Sequence, residues 1–309
     1  EAIAATRGAE LRLYPDPDSG ALRRAFAGYC GLGPEQVFMG NGSDEVLAHT
    51  FLGLLRHELP IQFPDVTYSF YPVWCDLYGV AYRKVPLAAD YSVDPDAYAK
   101  EHGGIVIPNP NAPTGMAMSL DDIRALLGKN PHAVVVIDEA YIDVGGASAV
   151  PLIAEYDNLL VIQTLSKSRA LAGLRVGAAL GQAHLIEGLE RVKNSFNSYP
   201  LDCVAQRGAV AALEDVAYFR AICARVVASR ERLARELAGL GFEVLPSAAN
   251  FLLVRYPGRE GRVLFSALRE RGIIVRYFDQ PRIDDYLRIS VGTDEQCDAL
   301  LAALREILA

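Results

Sequence analysis

A lysine and an arginine eight residues apart mark the stretch where chemistry concentrates. Lys167 stands in Thr164-Leu165-Ser166-Lys167, just after the apolar, strand-like run Leu159–Ile162, and Arg175 closes the small-residue turn that follows. A solvated lysine at a strand end is the plain reading of an isolated Ser-Lys pair. A lysine in a partly desolvated pocket beside a second cation is instead a nucleophilic amine that forms Schiff bases with carbonyls. Flanking hydroxyls and an arginine suit a phosphate. One cofactor carries both an aldehyde and a phosphate, pyridoxal 5'-phosphate.

That cofactor makes further demands. Val134–Ile137 is an unbroken β-branched run of the kind found in central parallel strands, and it ends in Asp138. Open α/β sheets bind ligands at the carboxyl ends of such strands. An acid there could pair with a pyridine nitrogen and keep the ring protonated, so that the ring accepts a carbanion's electrons. Gly40-Asn41-Gly42-Ser43-Asp44-Glu45 permits close backbone approach ahead of a helix, with Ser43 or Asp44 as its cap. The free N–H groups of such a helix start attract phosphate, although the same turn could simply begin a helix. Tyr68, at a strand-to-helix junction, offers an aromatic face to a planar ring, or packs in the helix's first turn. Arg276 and Arg288 stand at strand ends in the last third of the chain. Arg288 interrupts an apolar alternation, and a charge there needs a partner. Either it makes a structural ion pair or it grips a substrate carboxylate as a bidentate fork.

The elements that must position these groups alternate in type. The first dozen residues read as a helical lead-in. Leu13–Gly20 is a loop, in which Tyr14 is held extended before Pro15 and serves packing. A helix follows, with Leu22, Phe26, Tyr29 and Cys30 on one face. Strands are predicted at Ile61–Pro64, Ala81–Pro86, Ile105–Ile107, Val134–Ile137, Leu159–Ile162 and Val176–Leu180, with helices from Thr67 and Ser119 between them. Pro108–Gly115 is a rigid, proline-rich loop presenting Asn109 and Asn111. Alternation of this kind gives an α/β fold with a mainly parallel sheet and helices on both faces. It sets Asp138 and Lys167 at neighbouring strand ends on one edge. From Leu201 a long helical region leads into a smaller α+β domain, with strands at Glu243–Leu245, Phe251–Val254, Ile273–Val275 and Leu287–Val291. Its final helix is opened by Thr293 and Gln296 in capping-box spacing.

Composition limits the alternatives. The 309 residues suggest about two domains, and 51% hydrophobic against 22% charged residues allows a large core. A net charge of -8 disfavours nucleic acid as a partner. The five cysteines are odd in number, widely spaced and lack a C-x-x-C, which argues against a disulfide framework and a zinc site. No run reaches membrane-spanning length and no signal peptide is visible, so a cytoplasmic protein is expected.

Seven segments together, YPDPDSG, GNGSDE, TYSFYP, NPNAPTG, VVVIDEAY, TLSKSRALAGLRVG and YLRISVGT, resemble the fold-type I aminotransferases that use pyridoxal phosphate. Among these the chain most resembles the histidinol-phosphate aminotransferase branch, chiefly through YPDPDSG and GNGSDE. The resemblance implies a large cofactor-binding domain over 14–200 with a mainly parallel, seven-stranded sheet, and a long helix and small domain over 201–309. Residues 1–13 would be a lead-in after a family arm expected upstream of Glu1.

The resemblance also implies roles. Lys167 carries the cofactor aldehyde and moves the proton between Cα and C4′. Asp138 pairs with the ring nitrogen, Tyr141 bonds the ring's phenolic oxygen, and Tyr68 stacks on the ring. Ser43, Asp44 and Glu45, with Ser166, Arg175 and Thr164, surround the phosphate, and Tyr14 reaches it from a neighbouring subunit of a homodimer. Arg288 takes the carboxylate of glutamate, and Arg276 takes the substrate phosphate or the distal carboxylate. Many relatives place an asparagine immediately before Pro-Thr-Gly; here that position is Ala112, so Asn111 or Asn109 would have to substitute. The reaction implied is ping-pong transamination between L-histidinol phosphate and 2-oxoglutarate, in histidine biosynthesis. A threonine-phosphate decarboxylase-like lyase and an aminotransferase for aromatic or other amino acids are the alternatives.

Overall fold

The structure is a computed structural model and describes residues 1–98 and 101–309. A seven-stranded sheet dominates it. In chain order the strands are β1 (Val37–Asn41), β2 (Ile61–Pro64), β3 (Tyr82–Val85), β4 (Gly104–Pro108), β5 (Val134–Asp138), β6 (Leu159–Thr164) and β7 (Val176–Gly181). Their order across the sheet is β1-β7-β6-β5-β4-β2-β3. β3, β2, β4, β5 and β6 run parallel, and β7 is antiparallel to both of its neighbours.

Strand residues alternate between two cores, as the period of two requires. Ile105, Ile107, Val135, Ile137 and Val161 join one cluster, under α1 (Gly20–Cys30), α4 (Leu120–Lys129) and α6 (Cys203–Glu214). Val106, Val136, Leu160 and Ile162 join the other, under α2 (Gly42–Gly53), α3 (Tyr71–Tyr78) and α5 (Ala183–Phe196). A sheet with both faces covered needs continuous apolar strands, and β4 to β6 are such strands.

The smaller sheet has four antiparallel strands in the order β10-β11-β9-β8: β8 (Glu243–Val244), β9 (Phe251–Arg255), β10 (Arg276–Tyr277) and β11 (Leu287–Ser290). α8 (Gly261–Glu270) and α9 (Asp294–Leu308) cover it. α7 (Val216–Gly239) links the two parts, since Phe219 and Cys223 pack on Val144 while Leu233 and Leu237 enter the core of the small sheet. Among the described residues no helix is long and apolar enough to cross a membrane.

Several local expectations change. The lead-in is only a short 3-10 turn at Gly8–Arg12. α3 begins at Tyr71 and not at Thr67, because Pro72 falls in its first turn, where a missing N–H costs nothing. α2 begins at Gly42 with Asn41 at its cap position, and neither Ser43 nor Asp44 caps it; the Glu45 carboxylate accepts from the Asn41 N–H at 2.6 Å instead. The long helical region breaks at Asp215, whose side chain accepts from the Tyr218 N–H and so starts α7. α5 was hidden in the sequence between Gly181 and Leu201. Ile273–Val275 is not a strand; pairing with β11 starts at Arg276.

Candidate active site

The parallel strands converge on one pocket at their carboxyl ends. Pro108 of β4 pairs with Asp138 of β5, and Asp138 with Ile162 of β6, so the ends lie side by side. The chain beyond β6 turns through Leu165 and Ser166 to Lys167. Asp138, Tyr141, Ser166 and Lys167 line the pocket together with Ser43, Asp44, Tyr68, Ala112 and Arg175. These residues come from segments far apart in sequence, and the strand register together with the turns and the helix that follow the strand ends brings them together.

One end of the pocket is built for an anion. β1 pairs antiparallel with β7, setting Asn41 opposite Val176, so the turn at Gly42 meets Arg175. The approach is close: a Cβ on Gly42 would stand 2.5 Å from the Arg175 Nη2, and one on Gly177 would stand 2.4 Å from the Ser43 N. Both positions therefore need glycine. Arg175 itself adopts a left-handed φ of 53°, which turns its guanidinium back toward α2. It bonds Asp44 at 3.1 Å, and Asp44 also accepts from the Tyr68 hydroxyl at 3.2 Å. The N–H groups in the first turn of α2 have no acceptors within the helix, and with Arg175 they form a phosphate cradle.

The middle of the pocket holds the acid and the amine. Asp138 is buried, with donors on both oxygens: the Tyr71 hydroxyl at 2.8 Å on Oδ2 and the Ala140 N–H at 3.2 Å on Oδ1. Both donors are neutral, and no cation lies within ion-pair distance of this carboxylate among the described residues. Burial accordingly pushes Asp138 up to about 6, against the pull of those two hydrogen bonds. A protonated ring nitrogen is the partner such a carboxylate lacks. Lys167 is exposed at the pocket, not desolvated as the sequence suggested, with Nζ 5.4 Å from the centroid of the Tyr141 ring. Tyr68 forms one wall, edge-on to Tyr71 at 5.6 Å. Acid, amine, aromatic wall and anion cradle thus fit pyridoxal phosphate in type and in order along the pocket.

The two substrate arginines lie on the small sheet, in register opposite each other across β10 and β11. Arg288 is half-buried between Phe251 and Phe278, at 5.1 and 5.7 Å from their ring centroids. Phe251 in turn stands edge-on to Tyr141 at 5.0 Å, which links this site to the pocket. The Arg288 Nε is buried without a partner, and burial lowers the pKa of the guanidinium. Arg276 stacks on Phe278 from 5.4 Å. Neither arginine has an ion-pair partner among the described residues, so the structural ion pair left open for Arg288 is absent there.

Five further expected residues lie outside the lining. Asn109 accepts from the Met118 N–H at 2.8 Å, and Asn111 donates to the Val66 carbonyl and the Thr114 hydroxyl, both at 3.0 Å. These bonds brace the loop, the Asn109 Nδ2 and Asn111 Oδ1 are buried without partners among the described residues, and Ala112 takes the wall position. Thr164 is buried; its hydroxyl donates to the Val176 carbonyl at 3.1 Å and lies 2.9 Å from the Ser166 hydroxyl, from which it can accept, so it supports the cradle from behind. Glu45 braces the start of α2. Tyr14 is 82% exposed and stacks on Tyr199 at 4.8 Å, away from this chain's own pocket.

Sequence reading missed three residues. Tyr71 bonds Asp138; only its place in TYSFYP, three residues after Tyr68, hinted at it. Glu139 is a buried carboxylate facing away from the pocket. Arg230, buried in α7, donates to the Val144 and Ala249 carbonyls at 2.7 and 3.0 Å and so fixes Phe251 relative to Tyr141. Nothing in the sequence around Arg230 separates it from the many exposed arginines of α7.

Comparison with known proteins accords with this geometry. Residues 1–304 match the family Aminotransferase class I and II. Histidinol-phosphate aminotransferase 2 of Thiobacillus denitrificans is 60% identical over 308 residues, 99% of this chain and 86% of that protein. Histidinol-phosphate aminotransferase 1 of Bradyrhizobium diazoefficiens is 60% identical over 307 residues, covering 99% and 88%. Among solved structures, histidinol-phosphate aminotransferase from Sinorhizobium meliloti in complex with pyridoxal-5'-phosphate superposes with a TM-score of 0.88 at 25% identity, over 99% of this chain and 86% of that one.

Proposed function

The chain belongs to the class I and II aminotransferases, which depend on pyridoxal phosphate, and on that premise we propose that it exchanges the amino group between L-histidinol phosphate and 2-oxoglutarate, giving imidazole-acetol phosphate and L-glutamate in histidine biosynthesis. The observation that carries the reading is the placement of Lys167 and Asp138 at adjacent parallel strand ends, facing one pocket with an anion cradle at its end. Relatives named histidinol-phosphate aminotransferase at 60% identity support the substrate.

Bound pyridoxal phosphate supplies an aldehyde that condenses with amines and a ring that accepts the electron pair left at Cα. The chain's own residues do the rest. Lys167 would hold the cofactor through its aldehyde, and its amine is the group that would move the proton between Cα and C4′; a general base so placed contributes about 10²–10⁴-fold. Asp138 stays charged opposite the ring nitrogen. Tyr141 donates to the phenolic oxygen without the help of an asparagine at Ala112. Tyr68 backs the ring. Arg175, Ser166 and the first turn of α2 hold the phosphate. Arg288 receives the carboxylate of glutamate, and Arg276 receives the second anionic group, phosphate or distal carboxylate. Both substrates carry two anionic or polar ends, and two arginines lacking ion-pair partners suit them.

A homodimer in the cytoplasm belongs to the same reading. Tyr14, 82% exposed, stacks on the exposed Tyr199, an aromatic pair suited to a second subunit whose cofactor phosphate Tyr14 would reach.

A half-reaction tests the proposal. L-Histidinol phosphate added to the pyridoxal-loaded protein should bleach the cofactor's visible band saturably, and 2-oxoglutarate should restore it. A band that ignores histidinol phosphate but answers to aromatic amino acids would move the substrate. Release of carbon dioxide from threonine phosphate would make the enzyme a lyase.

A further inference from the structure

We infer that Tyr71 is a positioning residue, whose hydroxyl holds the Asp138 carboxylate in one orientation and in its charged form, ready for the cofactor's ring nitrogen. The inference rests on the role proposed above for Asp138 and deepens it.

Packing alone does not call for a hydroxyl at this position. Tyr71 is fully buried in an aromatic cluster, 6.0 Å from Phe51, 5.8 Å from Phe63 and 6.2 Å from Trp74. Phe51 and Phe63 fill equivalent space with no polar atom. A buried hydroxyl left unbonded is costly, and this one has a single partner, Oδ2 of Asp138, at 2.8 Å. The remaining donor to Asp138, the Ala140 N–H, is longer at 3.2 Å. Tyr71 is therefore the stronger of two neutral groups that keep a buried carboxylate ionised. Its aromatic cage leaves the ring no freedom to swing away. The same ring, at the start of α3, stands edge-on to Tyr68 in the loop just before that helix, so the wall behind the cofactor and the anchor of its nitrogen pack on each other.

The groups facing Asp138 come from four elements. Burial raises its pKa to about 6; Tyr71 from α3 and the Ala140 N–H beyond β5 oppose this, Asp44 from α2 adds to it, and Lys167 beyond β6 opposes it. Removing the Tyr71 hydroxyl thus moves the titration of Asp138 upward. Cofactor affinity that depends on the charged carboxylate is then lost at a higher pH.

The experiment is a titration of cofactor-free protein with pyridoxal phosphate across pH, followed by absorbance. Tyr71→Phe should raise the acid limb by about one unit, the lower end for a hydrogen bond to a charged group, and so weaken binding about threefold near pH 6.5 and nearly tenfold by about pH 5. Site-specific 3-fluorotyrosine at position 71, a stronger donor, should move the limb the other way; it also keeps the test open if Tyr71→Phe folds poorly. In an Asp138→Asn background, Tyr71→Phe should cost no further affinity. An acid limb unmoved by either change would overturn the inference, as would an equal loss with Asn at 138. Activity toward histidinol phosphate does not enter these readings, so a wrong substrate would leave them intact.

Discussion

Asp138 and Glu139 are consecutive at the end of β5, only 5% and 2% exposed, and they face opposite sides of the sheet. Asp138 continues the face of Val136, toward α2 and α3, and opens onto the pocket. Glu139 continues the face of Val135 and Ile137. It accepts from the Ser148 hydroxyl at 2.7 Å, the Ala149 N–H at 2.6 Å and Gln163 at 2.8 Å. Three donors close around Glu139 and leave no place for a ligand, whereas two donors on Asp138 leave an approach for a cation. Burial lifts both acids, Asp138 to about 6 and Glu139 to about 7. Equal burial therefore says little about function. What separates the two is how many donors each carboxylate has and whether its open side meets a cavity. Gln163 lies on β6 four residues before Lys167, so the Glu139 cluster fixes the strand that delivers the amine, while Asp138 fixes the ring the amine works on.

The contrast can be broken by mutation, and the largest effect should come from the pocket side. Lys167→Ala should lower kcat by about 10⁴-fold, the upper end for a positioned base, because the same amine also holds the cofactor. Its melting temperature should stay near wild type, since Lys167 is exposed; retained turnover would refute the site. Asp138→Asn should cost about 10²–10³ in kcat, the scale of one preorganised charge or donor, with no loss of stability. A melting curve that collapses would make Asp138 structural like its neighbour.

Glu139→Gln should invert that pattern. Loss of an acceptor in a closed cluster costs about 1–3 kcal/mol of stability, while kcat of the folded protein changes by only a few-fold. The pH dependence sharpens this. Glu139 titrates near 4.5 when unfolded and about 7 when folded. Between those values the native state binds more protons, so this acid favours the fold at low pH and that contribution is lost as pH rises toward 7. Melting curves from pH 5 to 7.5 should therefore show wild type losing stability relative to Glu139→Gln as pH increases; parallel curves would contradict the burial argument. The smallest effect is expected at the wall. Ala112→Asn should tighten pyridoxal phosphate about fivefold, roughly the 1 kcal/mol of one neutral hydrogen bond, and weaker binding would show that the site is packed around alanine.

Much of the site was legible because its signals are local. Lys167 follows soon after a strand-like run, Asp138 ends a β-branched one, and Gly40 and Gly42 mark a backbone that can approach closely. The strands β2 and β4 to β7 were legible for the same reason, since a strand buried on both faces announces itself as a mostly apolar run. α5 was not, because its buried positions Leu185, Ile186 and Leu189 are diluted by charge. Asn109 and Asn111 misled because a proline-rich loop shows which amides exist and not which way they turn. Both turn away from the pocket, toward Met118, Thr114 and Val66, although the Asn109 Nδ2 and Asn111 Oδ1 stay buried without partners among the described residues.

The sequence by itself determined the class of chemistry: an amine, an acid and an anion cradle spaced on alternating strands and helices admit few other readings. Tertiary structure decided which groups serve it. Strand periodicity says that Asp138 and Glu139 face opposite ways, but only the helices packed on each face decide which side is pocket and which is frame. Tyr71 and Arg230 gained their roles in the same manner. A hydrogen bond acts over about 3 Å, and the partners that meet at that distance here come from segments tens of residues apart.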